Sequence, residues 1–300
     1  MKNLLRQIAV ATFLILAALP SHSQEKLVKV NGHNFNTYQK GFEKRKKNTP
    51  AIIFENGMGV GLGNWDLVID QIAKFAPVFA YDRAGVEKSD KVYQMPTPKV
   101  VADNLKSILT TLNIAPPYIL VGHSMGGVYI RGYAGFYPND IAALVFIDPA
   151  DFTETKQQWN SIFRAIGVPE QKIDEMLYDR LYTKSKVDSL NFGPWSEGEV
   201  LGDLRRTDFA AINDLPMPGV PIYFLVGGRF EVPPDRRSKD FDHERFFIVK
   251  SNQNMEHWRK VIDASGKGGA LIYLPKSGHY IQRDEPKAVI NALKFIIENI

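Results

Sequence analysis

The 300-residue chain contains no cysteine. That excludes disulfides, thiolate nucleophiles and cysteine-based metal sites. It also lacks a large charge excess, since 37 Lys and Arg stand against 33 Asp and Glu. Two of those cations, Lys2 and Arg6, lie in the first 23 residues, which hold no acid, so the remainder carries 35 against 33, a net +2. Nucleic-acid binding needs a clustered basic surface that neutralises phosphates, and none is expected here. The run "KGFEKRKKN" (40–48) is locally basic. Lying between two strand-like segments, it reads as a solvated hairpin loop. There is no internal repeat, no low-complexity tract and no HExxH pattern. The six histidines are scattered, so neither a metal nor a cofactor is expected.

Long hydrophobic runs are missing too, with one exception. "IAVATFLILAAL" (Ile8–Leu19) follows the positive start and precedes Pro20 and the small residues Ser21 and Ser23. A membrane-spanning helix needs ~20 apolar residues, and this run is shorter. The layout is that of a secretory signal peptide over 1–23, cleaved near Ser23–Gln24. The protein is therefore expected to be exported, periplasmic or secreted, with no stable membrane anchor. A lipoprotein anchor would need the cysteine that the chain lacks.

At 44% hydrophobic and 23% charged residues, the rest has globular composition. "KLVKVNG" and "HNFNTYQ" read as two short alternating strands. From Pro50 onward, buried strand-like runs alternate with helical patterns. The strands are "AIIFENG", "PVFAYD", "YILVG", "IAALVFID", "PIYFLVGG" and "ALIYLP". The helical patterns include "TPKVVADNLKSILTTLNI", which opens on a capping threonine and a first-turn proline, and the closing "DEPKAVINALKFIIENI". Apolar strands flanked by helices imply an α/β fold, a mostly parallel sheet covered by helices on both faces. Asp151–Pro218 breaks the rhythm. It contains helical patches but no convincing strand, and it is too long for a simple connection. The expected organisation is a core over 24–150 and 219–300 with a helical cap inserted at 151–218.

One corner of the sequence carries chemistry. In "YILVGHSMGGVYI" (Tyr118–Ile130) an apolar strand stops at Gly122, a lone serine follows at Ser124, and a helix starts after Gly126. Gly-x-Ser-x-Gly between a strand and a helix is the nucleophile elbow, a sharp turn that only small neighbours permit and that lifts the hydroxyl clear of the sheet. The helix start favours a developing negative charge. His123 adjoins the serine but points away from it on such a turn, so it is read as a packed neighbour and not as the base.

With these pieces in order, "ENGMG", "YDRAG", "GHSMGG", "VFIDPAD" and "SGHYIQRDEP", the chain resembles the α/β-hydrolase superfamily from about Lys26 to its end. The resemblance implies the α/β-hydrolase fold and a cofactor-free Ser-acid-His triad in that chain order. Ser124 is then the nucleophile, and His279, just past "ALIYLP", is the general base. Two residues compete for the acid. The superfamily most often carries it after the next strand, three residues past a glycine, and Glu231 fits that spacing from Gly228. Some members carry it at the end of the strand after the elbow helix, where Asp148 lies. Sequences similar to "YDRAG" and "SGHYI" tend to have the aspartate-proline pair, so Asp148 is preferred and Glu231 is the alternative. The oxyanion hole needs two backbone amides. Met125, after the serine, and Met58, in the loop after "AIIFENG", are the candidates. Asn56–Gly57 stands where the superfamily often has His-Gly, and Glu87 replaces a glycine of its Asp-x-Arg-Gly-x-Gly-x-Ser loop. Asp82 and Arg83 are read as structural.

The expected function is an exported serine hydrolase acting on a small ester or other acyl substrate through an acyl-enzyme. Serine at the elbow argues against haloalkane dehalogenase or epoxide hydrolase chemistry, which uses aspartate there. A proline-iminopeptidase-like aminopeptidase would need a cap carboxylate for the substrate amine, and Glu154, Glu170, Asp174 and Glu175 are available. A cofactor-free perhydrolase would use the same triad. A ligand-binding receptor on the same scaffold, with little or no turnover, is the alternative of another class. The cap aromatics Phe152, Trp159, Phe163, Tyr178, Tyr182, Phe192 and Trp195 are expected to pack the cap and to line an acyl pocket.

Overall fold

The computed structural model describes residues 25–300. The expected signal peptide lies outside them. Among the described residues no helix is long and apolar enough to cross a membrane.

The chain opens with β1 (Glu25–Val30) and β2 (His33–Lys40), then β3 (Ala51–Glu55), a short α1 (Ile69–Ile72), β4 (Val78–Tyr81) and α2 (Pro98–Thr111). Next come β5 (Tyr118–His123), α3 (Met125–Phe136) and β6 (Ile141–Ile147). Four helices follow without a strand: α4 (Lys156–Ala165), α5 (Glu170–Tyr182), α6 (Phe192–Arg206) and α7 (Ala210–Asn213). The sheet then resumes with β7 (Ile222–Gly227), α8 (His243–Ala264) and β8 (Gly269–Leu274), and α9 (Ile281–Asp284) and α10 (Pro286–Glu298) finish the chain.

The eight strands form one sheet in the order β1-β2-β4-β3-β5-β6-β7-β8. β1 and β2 pair antiparallel, as do β2 and β4, and every other pairing is parallel. β2 and β3 are therefore not neighbours. The basic run at 40–48 belongs to a crossover connection and not to the expected hairpin loop, because β4 occupies the place between those strands.

Central strands are buried on both faces, which is why they read as continuous apolar runs. Alternation still sorts their side chains. Leu120, Leu144 and Phe146 pack on one side with α2 and α3, while Ile119, Val121, Val145 and Ile147 pack on the other with α10. The Thr97 hydroxyl accepts the Val100 amide at 3.3 Å and Pro98 occupies the first turn, so α2 starts where its sequence places it.

α8 has no counterpart among the helical patterns of the sequence. Asp242 caps this 22-residue helix by accepting the Glu244 and Arg245 amides. His243 is its first residue and His257 lies inside it. The helix was hidden because only Trp258 and Ile262 are buried in it, so it shows no regular apolar stripe.

Candidate active site

Strand order places the ends of β5 and β6 side by side, with His123 opposite Ile147 in the ladder. Ser124 leaves β5 with φ 53 and ψ −120, a region that a side-chain-bearing residue occupies only when its surroundings enforce it. The neighbouring glycines explain how. A Cβ on Gly122 would lie 2.5 Å from the Gly126 carbonyl oxygen, and one on Gly126 would lie 2.3 Å from the Glu55 carbonyl oxygen. The turn is held by the Ser124 amide donating to Ile147 O at 3.1 Å and by the Ala150 amide donating to Ser124 O at 2.9 Å.

Asp148 directly follows β6, also at positive φ (40°). Its amide donates to Leu225 O at 2.8 Å, and its Oδ1 accepts the Gly227 amide at 3.0 Å. Its other oxygen, Oδ2, lies 2.6 Å from His279 Nδ1. With the carboxylate ionised, Nδ1–H is the donor, which leaves Nε2 free to accept a proton. Glu231 meets the same histidine differently. Its Oε2 accepts the His279 backbone amide at 3.0 Å, and its Oε1 takes Arg229 Nη2 at 2.7 Å. Arg229 holds the Glu231 carboxyl below the usual carboxylate range. Asp148 therefore contacts the ring, and Glu231 braces the main chain. Among the described residues, the Ser124 hydroxyl makes no hydrogen bond to the His279 ring. In ligand-free enzymes such a bond is often long and tightens when substrate binds.

His123 sits behind this pair. Its Nε2 donates to the His279 carbonyl at 2.9 Å, so Nδ1 is the acceptor and faces Asn64 Nδ2 at 3.4 Å. Asn64 Oδ1 in turn accepts Gln282 Nε2 at 2.8 Å. Burial, reinforced by the charge on His279, pushes the His123 imidazole down to about 3, so it stays neutral and keeps this bond direction. Sequence reading placed His123 beside the elbow but gave no sign of Asn64 and Gln282, whose link spans 218 residues.

The candidate oxyanion loop is fixed from below. Arg83 donates to the Asn56 and Gly57 carbonyls at 2.7 and 2.6 Å, to Glu55 at 2.7 Å, and to Glu197 of cap helix α6 at 2.6 Å. Glu197 Oε2 also accepts the Gly59 amide at 2.8 Å. Between those anchors, the Met58 amide has no acceptor among the described residues, nor has the Met125 amide at the first position of α3. Asp82 supports the same region by accepting the Leu62 amide and Asn36 Nδ2.

A cavity of about 800 Å³ opens on the Asp148–His279 side of the site, between the cap and α8. Ser124, Met58 and Met125 do not line it. Of the aromatic residues expected there, Trp159 and Phe163 do. Phe152 is buried against Phe146, and Tyr178 and Tyr182 are exposed. Phe192 and Trp195 pack against each other with tilted rings, away from the cavity. Phe246, Phe247 and Trp258 of α8, with Phe230 and Phe241 before it, supply the rest of the aromatic wall.

With fold and site in view, a sequence profile of the α/β hydrolase fold matches residues 50–167. The chain has the α/β-hydrolase fold. It is 25% identical over 303 residues to the "Probable transporter efuK" of Hormonema carpetanum, covering 93% of this chain and 43% of that one. It is 32% identical over 126 residues to the uncharacterized protein YqjL of Bacillus subtilis (strain 168), covering 42% and 48%. The chain thus spans less than half the length of these two relatives. Among solved structures it is similar to the epoxide hydrolase CorEH, at 16% identity and a TM-score of 0.61 over 91% of this chain and 98% of that one. At that identity the likeness concerns the fold.

Two measurements follow from the geometry. Asp148→Asn is expected to lower kcat about 10⁴-fold by reversing the donor at His279 Nδ1. Glu231→Gln should cost far less, and steady-state kinetics with equal losses from the two variants would refute the ring assignment. The second concerns pH. The His123 value is depressed in the folded state, so the unfolded chain binds more protons below its ordinary value near 6.5, and the stabilisation present above that pH is lost as pH falls toward 3. Urea unfolding of His123→Asn should therefore show a shallower loss of stability between about pH 6.5 and 4 than the parent; identical slopes would count against it.

Proposed function

We propose that this protein is an exported serine hydrolase that cleaves a small ester through an acyl-enzyme. The observation that carries the reading is the 2.6 Å contact between Asp148 Oδ2 and His279 Nδ1 on the rim that also holds the strained Ser124. Ser124 Oγ attacks the carbonyl carbon as His279 Nε2 takes its proton. The unpaired Met58 and Met125 amides receive the oxyanion. His279 then protonates the leaving alcohol, and a water activated by the same nitrogen releases the acid. Asp148 keeps the imidazole in the required tautomer throughout.

The aminopeptidase alternative fits less well. Glu170 pairs with Arg164 on the surface, and Asp174 and Glu175 are exposed. Glu154 does reach the cavity, but Arg180 and Lys250 already occupy its carboxylate. A substrate ammonium there would meet two cations and not a free anion.

Ser124→Ala is expected to abolish labelling by a fluorophosphonate probe and to lower kcat on short acyl esters by on the order of 10⁶. Near-normal turnover by that variant would sink the reading, and absence of turnover by the parent on a panel of acyl esters would favour a ligand-binding role. Export predicts loss of about the first 23 residues, and an intact amino terminus in the mass spectrum of the mature protein would contradict it.

A further inference from the structure

The cavity beside Asp148 and His279 has a polar end that the reaction above leaves without a task. Glu154, at the root of the cap, is buried there. Arg180 of α5 and Lys250 of α8 both bind its carboxylate, Lys250 at 2.6 Å. Burial by itself would raise the Glu154 carboxyl, but Lys250 and Arg180 outweigh burial and hold it low. The other carboxylate at this end is Asp151, whose Oδ1 accepts the Thr153 amide and hydroxyl and Trp258 Nε1. Asp148 is committed to His279 and the Gly227 amide.

Arg205 of α6 completes the group and lines the same cavity. Its guanidinium has no hydrogen-bond acceptor among the described residues, and its Nε is buried without a partner. Burial disfavours its charge, and Glu154 offsets this from beyond ion-pair distance. Three cations thus face two carboxylates, one positive charge in excess, and the cation without an anion is an arginine. Arg205 is half-buried, and a guanidinium partly withdrawn from water without an ion-pair partner is costly until an anion reaches it. Its planar fork of donors matches a carboxylate. Trp159, Phe163, Phe246 and Phe247 add aromatic wall, and Arg229, Glu231 and Arg236 also line the cavity, Arg229 being paired with Glu231.

We infer that this end of the cavity is a subsite for a carboxylate on the substrate, centred on Arg205 with Arg180 and Lys250 beside it. The substrate class is then an ester with an apolar body and a single negative charge remote from the scissile bond. One excess positive charge suits a monoanion and not a phosphate dianion. The inference rests on the hydrolase reading of Ser124, His279 and Asp148, and its test is built to separate the two.

Two matched ester pairs place the carboxylate on either half of the molecule. One is mono-p-nitrophenyl adipate against p-nitrophenyl hexanoate; the other is 3-(4-acetoxyphenyl)propanoate against its primary amide. At least one pair should favour the anion about tenfold or more in kcat/KM, the worth of one charged hydrogen bond. Arg205→Met should bring that ratio to about one, and Arg205→Lys should restore part of it. Calorimetry with adipate against adipamide reads binding without turnover, on the parent and on Arg205→Lys should Arg205→Met fail to fold. Hydrolysis of the neutral esters with no anion preference in either pair, and no adipate binding, would overturn the subsite and leave the hydrolase intact. Adipate binding that depends on Arg205, without turnover of any ester, would keep the subsite and overturn the hydrolase.

Discussion

A single buried guanidinium ties the site together. Arg83 is 2% exposed and sits between Glu55 on β3 and Glu197 on α6, themselves buried. Burial opposes its charge, but the two carboxylates outweigh that and fix it as a cation. Taking one ion out of water costs several kcal/mol, and stripping a partner from a buried pair costs about 3–5 kcal/mol. The cluster therefore tolerates little rearrangement. Its remaining donors hold the Asn56 and Gly57 carbonyls, so the loop carrying Met58 takes its shape from charge neutralisation. Such clamping suits the oxyanion role proposed for the Met58 amide, since an oxyanion hole works by being formed before the charge develops.

The second constraint is steric. Gly122 lets β5 close on the start of α3, and Gly126 brings the elbow against the β3 main chain, so closely that a methyl at either position would overlap a carbonyl oxygen. The elbow thus abuts the strand that leads into the Met58 loop. Ser124 and the Met58 loop meet along one piece of backbone, from Glu55 to Gly59, touched by the elbow at Glu55 and held by Arg83 at Asn56 and Gly57.

These two constraints explain what could be read from the chain and what could not. The elbow is local: its strand, glycines and helix lie within thirteen consecutive residues, so periodicity and spacing suffice. Asp148 and His279 each follow an apolar strand, and the parallel order brings both strand ends to one rim. The Arg83–Glu197 pair joins residues 114 positions apart, and nothing in "YDRAG" names its partner. The helix α8 escaped notice for a different reason. Its inner face packs against an open cavity as well as core, so its aromatics Phe246, Phe247 and Trp258 never form the regular stripe that marks a core helix. The cap aromatics show the reverse error, because apolar residues in a cap also pack on one another, as Phe192 and Trp195 do.

Helix α6 joins the two halves of the site. Glu197 lies near its start and holds both Arg83 and the Gly59 amide, while Arg205 lies near its end on the cavity. Eight residues at 1.5 Å each separate them by about 12 Å along one rigid element. Its sequence admits Gly198 and Gly202 on the way, yet the helix runs unbroken, because packing of Val200, Leu201 and Leu204 outweighs the weak propensity there. A displacement of α6 toward the cavity would be felt at Gly59, next to the amide of Met58. Through a buried ion pair in its first half and an unpaired arginine near its end, α6 connects the far wall of the cavity to the loop beside Ser124.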